Sequence, residues 1–254
     1  DKSDKKPQAE VVTVIHAEDE ADMAMKEILI DAGFPLQFET EVLKEAAKLS
    51  EKITREEISK RKDCRDILTF TIDPADAKDF DDAISIRNLD NGNYEIGVHI
   101  ADVSHFIKHD SILDKAAYKR ATSVYLPDRV NPMLPERISN ELCSLRPNED
   151  KYTFSVIFQI TNRAEIKHKW IGRTLIHSNH RFTYEEVQQT IETKDGLHYK
   201  PILLLNDLAK KFRKERFDNG AINFSSQEVK FKLDEKGNPI GIVIKESKDA
   251  HKLI

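Results

Sequence analysis

Apolar and polar residues alternate with a period of two over much of this chain, and that alternation predicts a protein rich in β-strands. It runs through ILTFTI (67–72), AISIRNL (83–89) and YEIGVHIADV (94–103), and later through YTFSVIFQI and KHKWIGRTLIHS. The turn DNGN between the second and third runs is typical of a β-hairpin. Shorter strands are predicted for VVTVI (11–15) and AINF, and for EVKFKLD and IGIVIKE on either side of the turn EKGNP.

Other segments repeat their apolar residues with the period of an α-helix. They are AMKEILIDAGF, ETEVLKEAAKLS, ITREEISKR, SILDKAAYKRA, TYEEVQQTIET and PILLLNDLAKKFRKERF. Thr54, Ser111 and Thr183 stand where N-caps belong, and Gly33 is a usual residue after a helix. The stretch SVYLPDRVNPMLPE is predicted to be irregular because prolines interrupt it. Strands and helices are interspersed without a regular βαβ repeat, so we expect an α+β fold with helices packed on a mixed sheet.

Composition narrows the class of protein. The 254 residues are 39% hydrophobic, enough for one large core or two smaller ones. No apolar run approaches the roughly 18–20 residues that span a bilayer, so no membrane association is expected. The two cysteines, Cys64 and Cys143, match no metal-binding spacing and suit a reducing cytoplasm. A net charge of -5 does not exclude a nucleic-acid ligand, because the location of the charges matters more than their sum.

Five aspartates crowd the segment TIDPADAKDFDDA, which lies between two predicted strands. Four of them, Asp73, Asp79, Asp81 and Asp82, fall within ten residues, and Asp76 is interpreted as a turn residue. Like charges at this density raise the pKa of carboxyl groups unless a cation is bound. Carboxylate oxygens suit magnesium, manganese or calcium. A solvated acidic loop is the alternative, but the flanking strands and apolar residues favour a rigid site.

Three kinds of acidic site can be compared by spacing. An EF-hand starting at Asp73 would need glycine at position 6 and glutamate at position 12, where the chain has Lys78 and Ile84. An aspartyl-phosphate nucleophile at Asp79 and Asp81 would be expected at the end of a strand, with an accessory threonine that is missing. A magnesium site for phosphoryl chemistry, in which two ions activate water and stabilise the leaving oxygen, fits better.

Several long motifs occur in an order that resembles the RNB family of exoribonucleases, which includes ribonuclease II and ribonuclease R. After TIDPADAKDFDDA and GVHIADVSHFI come TSVYLPDRVNPMLPERISNELCSLRPNED, IHSNHRFTYEEV, NGAINFSSQEVKFKLDEKGNP and DAHKLI. The resemblance covers roughly residues 25–254 and is greater to ribonuclease R than to ribonuclease II. It implies processive hydrolysis of RNA from the 3′ end, with magnesium, to nucleoside 5′-monophosphates.

The resemblance also implies roles for individual residues. The family's four active-site aspartates, most of them metal ligands, match Asp73, Asp79, Asp81 and Asp82. It implies that Asp81 is the most critical of them for cleavage. Tyr125 resembles the tyrosine that packs against the 3′-terminal nucleotide, and Phe224 is the candidate for the opposing aromatic residue. From the residues alone, core packing is the favoured interpretation of both rings.

From the resemblance we expect three parts in the chain. Residues 1–20 would be a remnant of a cold-shock-type OB-fold domain, residues 21–62 a helical linker, and residues 63–254 the N-terminal portion of an RNB catalytic domain. The parent protein would act on the 3′ end of RNA in the cytoplasm, with Mg²⁺ as cofactor, Mn²⁺ as an alternative, and no DNA as physiological substrate. The 254-residue piece alone is expected to be weakly active or inactive. A catalytically inactive RNA-binding relative and another metal-dependent phosphohydrolase are the alternatives.

Other polar residues carry weaker signals. His99 and Asp102 lie three residues apart in a predicted strand and should point to opposite faces, which argues for structural roles rather than a catalytic dyad. Three arginines in or after the proline-rich stretch are candidates for phosphate contacts or for solvated surface positions. They are Arg129, Arg137 and Arg146. The run KKFRKER is interpreted as a charged helix face.

Overall fold

The middle layer of the protein is a mixed seven-stranded sheet. The computed structural model describes residues 9–11, 14–222, 228–234, 237, 239–245 and 247–253. The strands of this sheet are β1 (Lys62–Asp63), β2 (Leu68–Asp73), β3 (Asp82–Asn88), β4 (Tyr94–Ala101), β7 (Glu149–Ile160), β8 (Ile166–Ser178) and β9 (His180–Thr183). They lie in the order β1–β8–β7–β4–β3–β2–β9. The pairs β1–β8 and β2–β9 are parallel and the other pairs are antiparallel.

Helices cover both faces of the sheet. They are α1 (Glu20–Asp31), α2 (Thr40–Ala47), α3 (Arg55–Ser59), α4 (Val103–Phe106), α5 (Ile112–Arg120), α6 (Tyr184–Thr193) and α7 (Tyr199–Asp218). A π-helical turn spans Arg137–Leu142 and a 3-10 turn spans Ala250–Lys252. Two small hairpins complete the fold: β5 (Val124–Tyr125) with β6 (Val130–Asn131), and β10 (Glu228–Leu233) with β11 (Pro239–Lys245). Within the described residues, no helix is both long and apolar enough to cross a bilayer.

Two apolar cores lie on opposite faces of the sheet. In the first core, α2, α5 and the π-helical turn pack against the sheet through residues that include Val42, Leu113 and Ile138. In the second core, α6 and α7 pack on the other face, where Val187 and Ile202 are fully buried. This arrangement confirms the predicted α+β fold and explains why the strands alternate between residues of the two cores.

A row of hydrogen-bonded polar side chains crosses the sheet inside the protein. The ring of His99 on β4 lies between Ser85 on β3, at 2.8 Å from Nε2, and Ser155 on β7, at 2.7 Å from Nδ1. The Ser155 hydroxyl also contacts Thr174 on β8. Gly97 makes room for the ring, because a Cβ there would lie 2.5 Å from His99 Nε2. The structural role predicted for His99 is therefore confirmed.

A buried ion pair connects the segment before the sheet to the end of β4. The side chain of Arg61 is fully buried, and its guanidinium lies 2.8 Å from the Asp102 carboxylate, which is 2% exposed. The same guanidinium lies 4.3 Å above the ring of Tyr152. Breaking such a pair leaves an uncompensated charge inside the protein, at a cost of about 3–5 kcal/mol. Asp102 therefore has the structural role that the sequence suggested.

Most predicted elements are confirmed, and the exceptions lie in three segments. Residues 11, 14 and 15 are not in a strand, and neither are residues 221 and 222 of AINF, so those predictions are wrong as far as the structure describes them. The proline-rich stretch is less irregular than predicted, since a turn with a 2.8 Å bond from Leu126 N to Arg129 O lets β5 and β6 pair. Phe224 lies outside the described residues.

We predict that His99 makes the protein less stable as the pH falls below neutrality. Burial lowers the pKa of His99 to about 4 from the usual 6.5, so the unfolded chain binds a proton in this range that the folded protein does not. The free energy of unfolding should therefore fall by about 3 kcal/mol between pH 6.5 and about pH 4. His99→Gln keeps hydrogen-bonding groups but does not titrate, and guanidinium chloride denaturation across this range should show that the component is lost.

Ser155→Ala is the matched control for this prediction. It removes one hydrogen bond to His99 but leaves the ring titratable, so it should lower stability by about 1–2 kcal/mol at every pH. Parallel stability curves for the wild type and His99→Gln over the whole range would contradict the prediction.

Candidate active site

The acidic loop, residues 73–82, connects two strands that separate before they reach it. β2 and β3 pair only as far as Phe70 and Ile84, and beyond that point they separate. β2 continues beside β9 to Asp73, whereas β3 starts at Asp82 beside β4. Both ends of the loop are therefore fixed by neighbouring strands of the sheet.

The middle of the loop is fixed by the residues that follow the π-helical turn. Phe80 N donates to Ser144 Oγ at 3.0 Å, and Leu145 N donates to Phe80 O at 2.8 Å. The Ser144 hydroxyl in turn donates to Lys78 O at 3.2 Å. The Phe80 ring packs against the first core. The two aspartates that flank Phe80 are thus attached to a backbone that has little freedom to move them apart.

One hydrogen bond connects the loop to the end of β4. Ala101 N donates to the backbone oxygen of Asp81 at 2.9 Å. The next residue, Asp102, is the one that forms the buried ion pair with Arg61. The position of the Asp81 backbone therefore depends on a strand end that is fixed from inside the protein.

Arg181 on β9 contacts two parts of the loop. It was not predicted from the sequence to lie at this site. Its Nη2 donates to Pro74 O, and its guanidinium lies 5.3 Å from the centroid of the Phe80 ring. β9 runs parallel to β2, with Arg181 in register with Thr71. The available signal was the basic residue inside the motif IHSNHRFTYEEV, but its location beside the loop depends on a strand pairing that local sequence does not specify.

Three of the loop carboxyl groups, those of Asp73, Asp81 and Asp82, have raised pKa values. Burial is the largest cause for Asp73, and the charges of Asp82 and Asp81 add to it, so that its pKa rises to about 6. The pKa of Asp81 is raised by burial of its carboxyl group and by Asp79 and Asp82, although part of the side chain is exposed. Burial also raises the pKa of Asp82. Ionised forms of these groups are therefore costly without a compensating cation.

The donor set fits a divalent cation in chemistry. Carboxylate oxygens are hard ligands, and Asp73 Oδ2 is buried without a hydrogen-bond partner among the described residues. The four carboxylates do not lie within 4.8 Å of one another as a group of three or more. In the described part of the chain only the set His109, Asp110 and Asp114 does so, and the first two of these residues are exposed. Shared coordination by the loop would therefore require side-chain rotation on the fixed backbone.

Tyr125 lies within electrostatic range of two aspartates of this loop, Asp79 and Asp81. It is the second residue of β5, and 69% of its surface is exposed. Partial burial raises the pKa of Tyr125, and the negative charges of Asp79 and Asp81 raise it further. An exposed ring within electrostatic range of two of the aspartates is available for contact with a ligand.

A second aromatic residue, Tyr184, also lies near the aspartates and was not singled out from sequence. Burial raises its pKa, and the charges of Asp73 and Asp82 contribute. Its ring stacks on His251 at a centroid distance of 4.2 Å. The motif TYEEV was interpreted only as a helix start, and Thr183 with Glu186 does form a capping box there.

The three arginines suggested for phosphate contacts are paired with carboxylates of the chain itself. Arg129 pairs with Asp22 and Asp128, Arg137 with Glu51 and Glu141, and Arg146 with Glu149. The charged helix face KKFRKER is likewise paired, with Lys211 contacting Asp207 and Lys214 contacting Asp218. In this structure these basic groups compensate local acidic charges.

Comparison with known proteins gives the family. The model of the RNB domain matches residues 61–254. DIS3-like exonuclease 2 of Schizosaccharomyces pombe is 47% identical over 218 residues, which are 80% of this chain and 24% of that protein. Ribonuclease R of Thermotoga maritima is 42% identical over 258 residues, covering 98% of this chain and 36% of that protein. The chain thus spans between a quarter and two fifths of the length of these relatives.

The fold leads to the same group of proteins. Ribonuclease R of Mycoplasma genitalium, solved in complex with ribose-methylated single-stranded RNA, superimposes with a TM-score of 0.84 at 30% identity. The match covers 91% of this chain and 37% of that one. The same enzyme has also been solved with double-stranded RNA. Sequence and fold together confirm the resemblance, and the chain belongs to the RNB family, with ribonuclease R and the DIS3-like exonucleases.

Proposed function

We propose that the whole protein is a metal-dependent exoribonuclease that degrades RNA processively from its 3′ end and releases nucleoside 5′-monophosphates. One observation carries the proposal: an RNB domain with four aspartates on a loop whose ends and middle are fixed by the fold. A surface loop that served only for solvation would not need this support. Membership of the family makes RNA the substrate class with the best support.

We assign the metal-ligand role to the four loop aspartates, Asp73, Asp79, Asp81 and Asp82. Mg²⁺ or Mn²⁺ bound by such ligands would activate a water molecule and stabilise the leaving oxygen of a phosphodiester. The buried Asp73 Oδ2, which has no partner among the described residues, supports this assignment. The pKa values of Asp73, Asp81 and Asp82, raised first by burial and for Asp73 and Asp81 also by neighbouring carboxylates, support it as well, because a bound cation would offset the cost of ionising these groups. The greatest effect on cleavage is assigned to Asp81.

Tyr125 is proposed to stack on the base at the 3′ end. Every base presents a π-face, so stacking positions the terminal nucleotide without reading its identity, which suits a processive enzyme. The exposed ring and its closeness to Asp79 and Asp81 support this role. Phe224 as the opposing aromatic residue stays a prediction, since it lies outside the described residues. The proposal extends to RNA rather than DNA as the physiological substrate and to a cytoplasmic location, which the free cysteines Cys64 and Cys143 suit.

Two other functions make different demands on the loop. A catalytically inactive RNA-binding relative would not require the aspartates, yet all four are present at the expected positions. A phosphohydrolase acting on small phosphoesters would use the same metal but would gain nothing from an exposed ring beside it. Both alternatives can be separated from the proposed activity by assay.

In the whole protein, Asp81→Asn should lower the rate of RNA degradation by about 100-fold or more, with little loss of RNA affinity. The change removes the charge from one ligand and leaves the base-stacking residue in place. Degradation of labelled RNA and binding to the same RNA measure the two effects separately.

Asp76→Asn is the matched control for that experiment. Asp76 belongs to the same loop but pairs with Lys230 on the surface at 2.8 Å, and an exposed pair of this kind contributes little to stability. Its replacement should leave degradation nearly unchanged. Undiminished cleavage by the Asp81→Asn protein would overturn the assignment.

Metal removal should distinguish the candidate functions. Treatment with a chelator should abolish RNA degradation, and added Mg²⁺ or Mn²⁺ should restore it, because the loop carboxylates repel one another without a cation. With metal present, the products of single-stranded RNA should be nucleoside 5′-monophosphates. Faster turnover of small phosphoesters than of RNA would favour the phosphohydrolase, and intact RNA in the presence of metal would favour the inactive RNA-binding relative.

A further inference from the structure

The hairpin that carries Tyr125 is too small to hold its own position. We call it the Tyr125 hairpin; it comprises β5, β6 and the turn between them, residues 124–131. Only two residue pairs join its strands, and short two-stranded hairpins are marginally stable in water. Its contacts with the rest of the protein must therefore determine where the exposed ring lies.

One of those contacts is the buried side chain of Arg120, at the end of α5. It is 5% exposed and pairs with no carboxylate among the described residues. Its guanidinium instead donates to four neutral oxygens and lies 4.0 Å above the ring of Phe38. The acceptors are Pro132 O (2.8 Å), Asn131 Oδ1 (2.5 Å), Pro35 O (3.2 Å) and Gln37 O (3.4 Å). Arg120 therefore joins the end of the Tyr125 hairpin to the segment that follows α1.

The Asn131 side chain completes this side of the hairpin. Its Nδ2 donates to Pro35 O at 3.2 Å, the same oxygen that accepts from Arg120. In the hairpin, Asn131 pairs with Val124, the residue immediately before Tyr125. The strand that carries the ring is thus one residue pair away from a buried hydrogen-bond cluster.

A second contact fixes the turn end of the hairpin. Arg129 immediately precedes Val130, the partner of Tyr125, and donates from Nη1 to Asp22 Oδ1 on α1. The other oxygen of Asp22 accepts from Lys26 Nζ at 2.7 Å and from Glu18 N at 3.0 Å. Asp22 is 8% exposed and the side chain of Arg129 is 35% exposed, so this charge cluster is partly shielded from solvent.

We propose that Asp22 and Arg120 are positioning residues for Tyr125, and that the segment 19–38 therefore supports, without contacting the RNA itself, the site that binds the 3′ end of RNA. The inference rests on the role proposed for Tyr125. A stacking ring contributes to binding only when its plane is available to the base, and a hairpin freed at one end loses that orientation. The helical segment that precedes the matched domain, which starts at residue 61, thus contributes to the RNA site.

The test measures binding of a fluorescently labelled single-stranded oligoribonucleotide by anisotropy, in an Asp81→Asn background that prevents degradation. Tyr125→Ala should weaken binding by about tenfold, the loss of one base–aromatic stack. Asp22→Ala should weaken it by about threefold to tenfold, and should have no further effect when Tyr125 is already alanine. Asp22→Asn, which keeps the volume of the side chain, replaces Asp22→Ala if that variant does not fold.

The sign of the effect separates positioning from general electrostatics. Removing a negative charge favours binding of a polyanion, so a purely electrostatic role for Asp22 predicts tighter binding, not weaker. Glu45→Ala is the matched control: it removes a carboxylate that pairs with Lys48 on the exposed side of α2, and it should not weaken binding.

Two outcomes overturn the inference, and they can be told apart. If Tyr125→Ala weakens binding but Asp22→Ala does not, or weakens it equally in both backgrounds, only the positioning role is wrong. If Tyr125→Ala itself leaves the affinity unchanged, the base-stacking role proposed for Tyr125 is wrong, and the positioning role falls with it.

Discussion

Repulsion among four carboxylates on a backbone that cannot relax is the constraint around which this structure is arranged. Asp73 ends one strand and Asp82 begins the next, so neither can withdraw from the other by unfolding the loop locally. Between them, the backbone of Phe80 forms hydrogen bonds with Ser144 and Leu145. The carboxylates therefore stay close in the folded state, where burial raises the pKa values of Asp73, Asp81 and Asp82 and neighbouring negative charges raise those of Asp73 and Asp81 further. A divalent cation would relieve the repulsion, and the fixed backbone would then limit the adjustment for shared coordination to rotation of the aspartate side chains.

Polar groups buried elsewhere in the sheet fix the strands from which the acidic loop extends. The ion pair of Arg61 and Asp102 fixes the end of β4, and the amide beside it donates to Asp81 O. His99 bridges β3 and β7 through hydroxyl groups and keeps the strands on either side of β4 in register. Each of these groups costs free energy to bury, and the cost is offset by the charge pairing of Arg61 with Asp102 and by the two hydroxyl partners of His99. The position of the loop backbone thus depends on buried polar contacts as well as on the two apolar cores.

Features encoded by local sequence patterns were predicted, whereas contacts that depend on pairing between distant segments were not. The strands and most helix ends follow from alternation and from caps such as Ser111 and Thr183. The aspartates were found because they crowd one loop. Arg181 and Tyr184 reach that loop only because β9 pairs in parallel with β2, a contact between segments far apart in the chain. The partners of Asp102 and of the Tyr125 hairpin were not predicted either, because they also lie far away in the chain.

The most direct test of this account is a crystal of the protein soaked with Mn²⁺ and measured for anomalous scattering. The account predicts one or two ions at the acidic loop, with Asp73 Oδ2 among the ligands and the loop backbone unchanged. Manganese found only at surface positions, with none bound by the loop aspartates, would contradict it.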